Sequence, residues 1–471
     1  MKRRMAYGVV AMALIVSAGC DGRMPRSAAP ANTPAAQAAD EPWPPPLLAA
    51  KLQAEPASDV DKQIKALIAD YEARLAGLKP TDPLVRKYLP RLRSKVRILY
   101  REYNQPKGRY NTSCFSAAEC IESLKAEMQF FLDRGLQRGA DPLAGAAGRV
   151  LWKACWIDNT RIMGRYTLTV PKAYDPKKPW PISISYQNGP VKAKRRLLPY
   201  FWISSVQKGY PKGLTMVENK TRSFLKDAAH DFNVDPFRFY ATGFSYGGRT
   251  DLIMAWRHPH WFAAIAPVCN DQRDSGRQKS TVYVKYLKNV PALLLHGTGD
   301  SFLATGRIVH RYMKDAGCDV TFETYPGGHD AAPIFNNPKR LTDFYDKHVM
   351  NPYPKTVSHV VEHRRYSRAF WVDARLVAGD GEAGTFEVRL PGANRVEIDA
   401  SDRIAELDLY LNAKLVDMTR PVTVVAGGKT AYQGAPSGKL TVKLRDGADR
   451  ARGRGDTLWI DVLKIQNKAV P

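Results

Sequence analysis

Three residues whose side chains can together activate a serine hydroxyl occur in this chain in an informative order. Ser245 lies within Gly243–Gly247 (GFSYG), Asp300 ends Leu293–Asp300 (LLLHGTGD), and His329 follows two glycines. A serine attacks a carbonyl carbon only when an imidazole takes its proton and a carboxylate orients that imidazole. On a mostly parallel sheet the chain order of such a set is serine, acid, histidine. We therefore predict Ser245 as nucleophile, Asp300 as acid and His329 as base.

The surroundings of Ser245 favour a sharp turn between a strand and a helix. Arg238–Thr242 (RFYAT) is short and apolar, as a buried strand is, and Thr250–Trp256 (TDLIMAW) suits a helix. Gly243 and Gly247 allow close packing on both sides of a strained serine, whose hydroxyl then lies at the head of the helix. The alternative is a surface turn that contains Gly-x-Ser-x-Gly by chance, and the flanking strand and helix argue against it.

Other polar residues compete for the same roles. His296 stands at a strand end shortly before Asp300, where we expect a polar group rather than the base. Asp330 is adjacent to His329 in the chain, so its carboxylate cannot easily turn back to hold the ring. Cys269 ends the strand predicted beside the nucleophile, and we interpret it as a core thiol rather than a nucleophile.

The tetrahedral intermediate of such an attack needs two N–H donors, each contributing roughly 2.7–4 kcal/mol in comparable sites. We predict the backbone N–H of Tyr246, directly after Ser245, as the first donor. The second is predicted in the loop after Pro181–Tyr186 (PISISY), at Gln187 and Asn188. No cysteine or histidine spacing is typical of a zinc site, so we expect neither a metal nor another cofactor.

The elements that must position these residues alternate between strands and helices. Short apolar runs predict strands, and longer runs between them predict helices. The predicted strands are Arg165–Pro171, Pro181–Tyr186, Phe262–Val268, Pro291–Leu295 and Asp319–Tyr325, and the clearest helices are Thr221–His230 and Gly306–Ala316. This rhythm predicts the α/β class, with a doubly wound, mostly parallel sheet covered on both faces.

Changes of composition along the chain predict five segments. Apolar positions at helical spacing from Ile64 to Leu75 indicate helices early in the chain, and alternating runs such as Thr385–Leu390 indicate a small antiparallel β domain late in it. The predicted segments are a signal peptide (1–20), a Pro/Ala-rich tether (21–50), a helical N-terminal region (51–150), the α/β domain (151–353) and a β-rich C-terminal domain (354–471).

The first residues have the pattern of an export signal. Lys2, Arg3 and Arg4 precede Tyr7–Ala18, an apolar run too short to span a bilayer. The following Ser-Ala-Gly-Cys resembles a bacterial lipobox, which predicts that Cys20 is lipidated and becomes the first residue of the mature chain. The alternative is an ordinary secretory signal cut nearby. In both cases we expect an exported protein, and with the lipid an anchor in a bacterial membrane, facing the periplasm or the cell surface.

The balance of charges is strongly basic, with 71 Lys and Arg against 46 Asp and Glu. A net charge of +25 predicts attraction to anionic surfaces such as acidic lipids or glycans. No helix-turn-helix, zinc-finger or RNA-binding aromatic pattern is present, so we expect no nucleic-acid partner. Lys192–Arg196 (KAKRR) followed by Tyr200–Trp202 (YFW) suggests a groove for an acidic or aryl-decorated polymer; the alternative is a basic helix with its apolar side turned inward.

From about Gly164 to His348 the chain resembles the α/β-hydrolase superfamily, in particular secreted esterases related to polyhydroxybutyrate depolymerases, feruloyl esterases and acetyl xylan esterases. The matching segments are Arg165–Pro176 (RYTLTVPKAYDP), Asn233–Gly248 (NVDPFRFYATGFSYGG), Phe262–Cys269 (FAAIAPVC), Leu295–Asp300 (LHGTGD) and Tyr325–Asp330 (YPGGHD). Such esterases commonly carry His-Gly where this chain has Gln187-Asn188, which is a departure at the second N–H donor.

The resemblance implies an α/β-hydrolase fold and an exported serine esterase that works through an acyl-enzyme. Its implied substrates are acetyl or feruloyl-like esters of polysaccharides or other bulky molecules. One alternative is a serine peptidase of the prolyl-oligopeptidase type, although the chain lacks the long propeller-forming region usual in those enzymes. Another is a non-catalytic surface lipoprotein that binds a glycan, which the presence of Ser245, Asp300 and His329 argues against.

Overall fold

The structure, a computed structural model, describes most of the chain after residue 58. The described residues are 59–89, 92, 125, 132, 136, 143, 145–157, 163–186, 200–205, 214–272, 280–379, 382–449 and 458–469. All of them belong to one compact unit that runs from Pro56 to Pro471. The export signal with Cys20, the tether, the basic run Lys192–Arg196, and Gln187 and Asn188 lie outside the described residues, so the expectations for them stay predictions.

An eight-stranded sheet has the strand order β1-β2-β4-β3-β5-β6-β7-β8. Its strands are β1 (Val150–Trp156), β2 (Met163–Thr169), β3 (Trp180–Tyr186), β4 (Phe201–Ser205), β5 (Val234–Phe244), β6 (Ala264–Val268), β7 (Ala292–Gly297) and β8 (Val320–Tyr325). From β4 across to β8 every neighbouring pair is parallel, whereas β2 runs antiparallel to both of its neighbours. This doubly wound sheet confirms the predicted fold class, that of an α/β-hydrolase.

Helices α2 to α5 lie between the parallel strands in the chain. The described helices are α1 (Asp59–Ala76), α2 (Leu214–Asp231), α3 (Tyr246–Arg257), α4 (Ser280–Tyr283), α5 (Leu303–Asp315), α6 (Ala332–Phe335), α7 (Lys339–Tyr345) and α8 (Leu458–Ile465), with a further helical stretch at 83–89. Helix α2 packs on β1 and β2, α3 on β5 and β6, and α5 on β7 and β8. Among the helices of the described part, none has the length and hydropathy that crossing a membrane requires.

The early helical prediction holds where the structure describes it. Helix α1 turns Ile68, Tyr71 and Leu75 inward, and all three are buried. These positions lie three and four residues apart, so they share one face of the helix. Asp82 accepts a hydrogen bond from the backbone N–H of Leu84 at 2.7 Å, as a residue before a helix commonly does.

Two further sheets follow the eight-stranded sheet in the chain and confirm the predicted C-terminal β domain. Their orders are β10-β11-β14-β17 and β16-β15-β13-β12-β9. The strands are β9 (Thr356–Val361), β10 (Arg368–Ala369), β11 (Val372–Leu376), β12 (Gly384–Gly392), β13 (Arg395–Ala400), β14 (Ile404–Leu409), β15 (Val422–Ala426), β16 (Lys429–Gly434) and β17 (Leu440–Lys443). The described pairs are antiparallel except β13 with β15, which is parallel.

The last helix, α8, lies against α2 and β5. Arg222 donates to the carboxylate of Asp461 at 2.7 Å, and the rings of Phe237 and Trp459 lie 5.8 Å apart. The side-chain amide of Gln466 donates to backbone carbonyls at the end of α2 and the start of β5. The last helix therefore lies against elements of the eight-stranded sheet domain, and the boundary drawn at residue 354 stays a prediction.

One interpretation was wrong. Tyr200, expected in a substrate groove or on a basic helix, leads instead into strand β4, which pairs with both β2 and β3. Its side chain is buried, its hydroxyl donates to Asp346, and its ring lies 5.8 Å from that of Tyr240. Because β4 is an inner strand of the sheet, the aromatic residue before it fills core volume rather than facing a ligand.

Candidate active site

The turn that carries Ser245 is strained in the way its sequence predicts. Strand β5 ends at Phe244 and helix α3 begins at Tyr246, so Ser245 alone makes the turn. Its backbone has φ 57° and ψ −117°, a left-handed conformation that is uncommon for any residue other than glycine. The N–H of Ser245 donates to the carbonyl of Val268 at 2.9 Å, and its own carbonyl accepts from Arg249 at 3.0 Å. These two hydrogen bonds tie Ser245 to the end of β6 and to the start of α3.

The glycines around Ser245 are required by close backbone contacts. A Cβ on Gly243 would lie 2.3 Å from the carbonyl carbon of Gly247. A Cβ on Gly247 would lie 1.8 Å from the carbonyl oxygen of Tyr186, the last residue of β3. No side chain fits at either position, so the turn is pressed against the end of the neighbouring strand. Gln187 and Asn188 follow Tyr186 in the chain.

The loops that carry Asp300 and His329 are joined through their backbones. The N–H of Gly299 donates to the carbonyl of Gly327 at 2.8 Å, and Gly327 has φ 138°. A Cβ on Gly297 would lie 2.1 Å from the carbonyl oxygen of Gly328. The glycines after β7 and β8 therefore let the two loops touch, which brings the carboxylate of one to the imidazole of the other.

The structure brings Ser245, His329 and Asp300 together. His329 Nε2 lies 2.9 Å from Ser245 Oγ, and His329 Nδ1 lies 2.9 Å from Asp300 Oδ1. The rings of Phe244 and Phe302 flank the imidazole, with centroids 4.6 and 5.2 Å from its own. The Asp300 side chain is fully buried, whereas 32% of the His329 side chain is exposed. Such an arrangement can pass a proton from a hydroxyl to a ring that remains open to substrate and water.

The carboxylate of Asp300 is stabilised in its charged form. Burial alone would raise its pKa, but hydrogen bonds from the backbone N–H of Phe302 and the side chains of Cys269, His329 and His296 outweigh burial and lower that pKa. The bond from Phe302 is 3.0 Å long. Asp300 is therefore ionised at neutral pH and able to orient a ring that becomes positively charged.

Two residues behind Asp300 extend the hydrogen-bonded chain. His296 Nδ1 lies 2.8 Å from Asp300 Oδ2, and His296 Nε2 lies 3.0 Å from Asn270 Oδ1. Burial lowers the pKa of His296, although its bond to Asp300 opposes that effect, so the ring is neutral at physiological pH. His296 lies at the end of β7, where a polar group was expected. Asn270 was missed; the signal for it is that β6 and β7 are adjacent strands ending at the same edge of the sheet.

The remaining candidates have other contacts. Asp330 Oδ1 accepts from the N–H of Ala332 at the start of α6, at 2.9 Å. Cys269 Sγ lies 3.1 Å from the hydroxyl of Tyr325, and burial raises the pKa of this thiol to about 11. Tyr246 is the first residue of α3. Backbone N–H groups at the N-terminus of a helix favour the binding of negative charge.

Cys269, His296 and Asp300 also form a set that is capable in principle of holding a metal ion. One donor atom from each lies within 4.8 Å of the others. Their atoms already bind one another or a neighbour, however, and a thiol with its pKa near 11 is a poor source of the thiolate that metals prefer. The set is better described as a hydrogen-bonded support for the carboxylate, and the expectation of no metal stays a prediction.

No protein-family model matches the chain. Similar solved structures include a thermostable esterase (19% identity, TM-score 0.34), of which this chain covers 63% while 42% of this chain is matched. They also include a ferulic acid esterase (16%, TM-score 0.36; 43% of this chain, 98% of that one) and dipeptidyl peptidase 4 from Porphyromonas gingivalis (14%, TM-score 0.35; 43% and 36%). The assignment of the fold rests on the strand order and connections given above.

Proposed function

We propose that this protein is a serine hydrolase that cleaves carboxylic esters through an acyl-enzyme. The observation that carries the proposal is the unbroken chain of hydrogen bonds from Ser245 Oγ through His329 to Asp300, each 2.9 Å long. It lies at the edge of a parallel sheet where the strands end, which is where α/β proteins place their sites. A buried, ionised acid behind a partly exposed imidazole is the arrangement that general-base activation of a serine needs.

In the first half of the reaction His329 Nε2 takes the proton of Ser245 as Oγ attacks the ester carbonyl carbon. The imidazolium that forms is stabilised by Asp300 at Nδ1. The carbonyl oxygen becomes an oxyanion, which the backbone N–H of Tyr246 and a donor at Gln187 or Asn188 would bind. When the tetrahedral intermediate collapses, the C–O bond to the alcohol breaks and His329 gives its proton to the leaving oxygen.

In the second half, water replaces the alcohol. His329 takes a proton from the water while its oxygen attacks the acyl carbon, and the same N–H donors bind the second oxyanion. Collapse releases the carboxylic acid and returns the proton to Ser245 Oγ. The partial exposure of the His329 side chain, 32%, is consistent with the access that this step needs.

The substrates proposed are acetyl or feruloyl-like esters of polysaccharides or other bulky molecules, on the basis of the sequence resemblance. We further propose that the chain is exported and held at a bacterial membrane through Cys20, which the basic, apolar and Ser-Ala-Gly-Cys segments of residues 1–20 support. Fractionating expressing bacteria tests the anchor. Wild-type protein is expected with the membranes and a Cys20→Ala variant outside them; identical distributions would contradict the anchor.

The nucleophile is tested with a fluorophosphonate probe on the soluble chain that starts after Cys20. We expect one labelled residue, Ser245, with labelling lost in Ser245→Ala and strongly slowed in His329→Ala, because the hydroxyl is weak without its base. Ser301→Ala, a change at an exposed serine beside Asp300, serves as the matched control and should label normally. A folded protein that the probe leaves unlabelled would rule out the proposed activity.

The reaction class is tested by comparing p-nitrophenyl acetate and a feruloyl ester with dipeptide anilides. We expect hydrolysis of the esters, dependent on Ser245, and little or no cleavage of the anilides. Faster turnover of the anilides would instead assign the site to a peptidase. Glycan binding that survives Ser245→Ala, with no turnover of any ester, would identify a binding protein.

A further inference from the structure

We propose that His296 is a positioning residue for the reaction: its Nδ1–H holds Asp300 Oδ2 so that Oδ1 faces His329, while Asn270 lies against the other ring nitrogen. The kinetic part of this inference rests on the proposed function. Its structural basis is a line of five side chains, Ser245, His329, Asp300, His296 and Asn270, joined by contacts of 2.8 to 3.0 Å.

The ring of His296 is held by packing as well as by its two hydrogen bonds. It is fully buried, and the ring of Phe322 on β8 stacks on it with centroids 5.7 Å apart and planes at 20°. On another side the backbone of helix α5 comes so close at Gly306 that a Cβ there would lie 2.3 Å from His296 Nε2. A ring held in this way cannot turn to another partner, so the position of its Nδ1 is set by the fold.

The direction of the hydrogen bonds follows from the charge on Asp300. A carboxylate only accepts, so His296 Nδ1 must carry the proton that it shares with Asp300 Oδ2. The neutral ring then has an unprotonated Nε2, which accepts. Asn270 can donate to it from its amide nitrogen after a half-turn of the amide group, and in the orientation described that nitrogen makes no hydrogen bond. The carboxylate thus sets the tautomer at Nδ1, and the turned amide of Asn270 suits that tautomer at Nε2.

The titratable groups around this ring are consistent with the assignment. Asp300 contacts Nδ1, His329 lies on the far side of the same carboxylate, and Cys269 donates its thiol to that carboxylate as well. With the backbone N–H of Phe302, four donors surround Asp300, and His296 Nδ1 lies 2.8 Å from Oδ2. Without His296, Oδ2 loses this donor, so the buried carboxylate is held less firmly and takes up a proton more readily.

The first test compares two substitutions of the same histidine, His296→Asn and His296→Leu. The asparagine would place an amide N–H close to where Nδ1 stands, whereas the leucine would place no donor there. We expect His296→Leu to lower kcat for p-nitrophenyl acetate about 10- to 100-fold, the effect of losing a donor to a buried charge, with KM within about twofold. His296→Asn should recover most of that loss.

Two variants separate hydrogen bonding from packing. Gly306→Ala should displace the ring without removing it, and should lower kcat in the same direction as His296→Leu. Phe322→Leu removes the stacked ring but no hydrogen bond, so kcat should fall much less than in His296→Leu. If His296→Leu does not fold, the loss of kcat in Gly306→Ala is compared with that in Phe322→Leu instead. Equal losses in His296→Leu, His296→Asn and Phe322→Leu would show a packing role and overturn the inference.

A spectroscopic test does not depend on any enzymatic activity. Long-range ¹H–¹⁵N spectra of the imidazoles should show His296 in the neutral Nδ1–H form at neutral pH and above, because burial lowers its pKa, with a downfield N–H proton that disappears in His296→Asn. A His296 ring that carries its proton on Nε2, or that titrates at neutral pH or above, would overturn the inference. If the wild type cleaves no ester, the proposed function fails while this measurement still decides the role of His296 at Asp300.

Discussion

The backbone N–H of Gly299 and the carbonyl of Gly327 form a hydrogen bond of 2.8 Å between the loop of the acid and the loop of the base. A second bond, from the N–H of Thr298 to the carbonyl of Tyr325 at 2.9 Å, continues the parallel pairing of β7 and β8 into the loops. Asp300 and His329 are thus held by one backbone unit. Their alignment depends on the glycines that allow this approach, because the side chains themselves make only one bond to each other.

Gly297→Ala should separate the two loops. The added Cβ would stand 2.1 Å from the carbonyl oxygen of Gly328, a backbone atom that can move only with its loop. We expect a loss of about 1–3 kcal/mol in the free energy of unfolding, as for other overpacked sites. We also expect kcat to fall up to about 100-fold, because a misplacement of 1 Å can have that effect. Urea unfolding and ester hydrolysis measure the two effects.

The matched control for that substitution is Gly438→Ala. Gly438 is exposed, has no atom within 4 Å of an added Cβ and is not in the left-handed region. Its unfolding free energy should stay within about 0.5 kcal/mol of wild type and its activity should not change. A Gly297→Ala protein that matches this control in both measurements would show that the two loops tolerate separation.

Much of the candidate site could be predicted from the sequence, because each part lies in a short motif. Ser245 has its glycines, and Asp300 and His329 each follow a strand in the expected order. The bond between His296 and Asn270 could not be predicted, since it depends on the register of two strands. Only the pairing of Val268 with Leu295 shows that the residues just beyond them lie side by side.

The fold class could also be predicted, while several elements could not. Strand β16 (Lys429–Gly434) is largely exposed, so it lacks the alternation of apolar residues that marks a half-buried strand. Helix α3 starts at Tyr246, earlier than expected, because Gly247 and Gly248 are poor helix formers that the turn nevertheless requires. Strand β5 includes Pro236, which local propensity would place outside a strand. Tertiary contacts override local preference in each case.

Glu362→Ala should weaken the contact between helix α3, which packs on the eight-stranded sheet, and strand β9 of the C-terminal sheets. Glu362 follows β9 and accepts from Arg257 at 2.8 Å and from the indole N–H of Trp256 at 3.1 Å, both on α3. Arg257 is buried and its guanidinium lies 4.4 Å from the ring centre of Tyr366, so it cannot easily reach water when its partner is removed. We expect a loss of roughly 1.5–3 kcal/mol in unfolding free energy, measured with urea.

An exposed ion pair provides the comparison for Glu362. Lys339 and Asp343 lie one turn apart on α7, and more than half of each side chain is exposed. Because water and salt screen such pairs, Asp343→Ala should have a much smaller effect than Glu362→Ala. Losses of equal size in the two variants would mean that burial of Arg257 does not matter for the connection.

Asp251→Asn should stabilise the protein increasingly as pH rises. Asp251 lies on α3 fully buried, and burial raises its pKa well above the usual value, with a partial opposing effect from the backbone N–H of Gly243. Above the unfolded-state pKa of about 3.9, Asp251 keeps its proton in the native state but loses it in the unfolded state. The free energy of unfolding therefore falls as pH rises towards the raised pKa. The asparagine removes this dependence, and the advantage of the variant over wild type should grow as pH rises from about 4 towards the raised pKa of Asp251.

Urea unfolding at several pH values measures that growth. Asp315→Asn is the control, since Asp315 is exposed at the end of α5 and its substitution should change the unfolding free energy much less than Asp251→Asn does. An advantage of Asp251→Asn that is the same at every pH would contradict the raised pKa and leave only a packing effect.

Cys269 and Cys318 should resist alkylation in the native protein. Both thiols are buried, and burial raises the pKa of each to about 11. At pH 8 only about one such thiol in a thousand would be ionised, and it is the thiolate that attacks iodoacetamide. Mass spectrometry should therefore find both unmodified in the native protein and modified in urea, with ester hydrolysis unaffected by the reagent. Rapid modification of Cys269 in the native protein would contradict the burial and the raised pKa of its thiol.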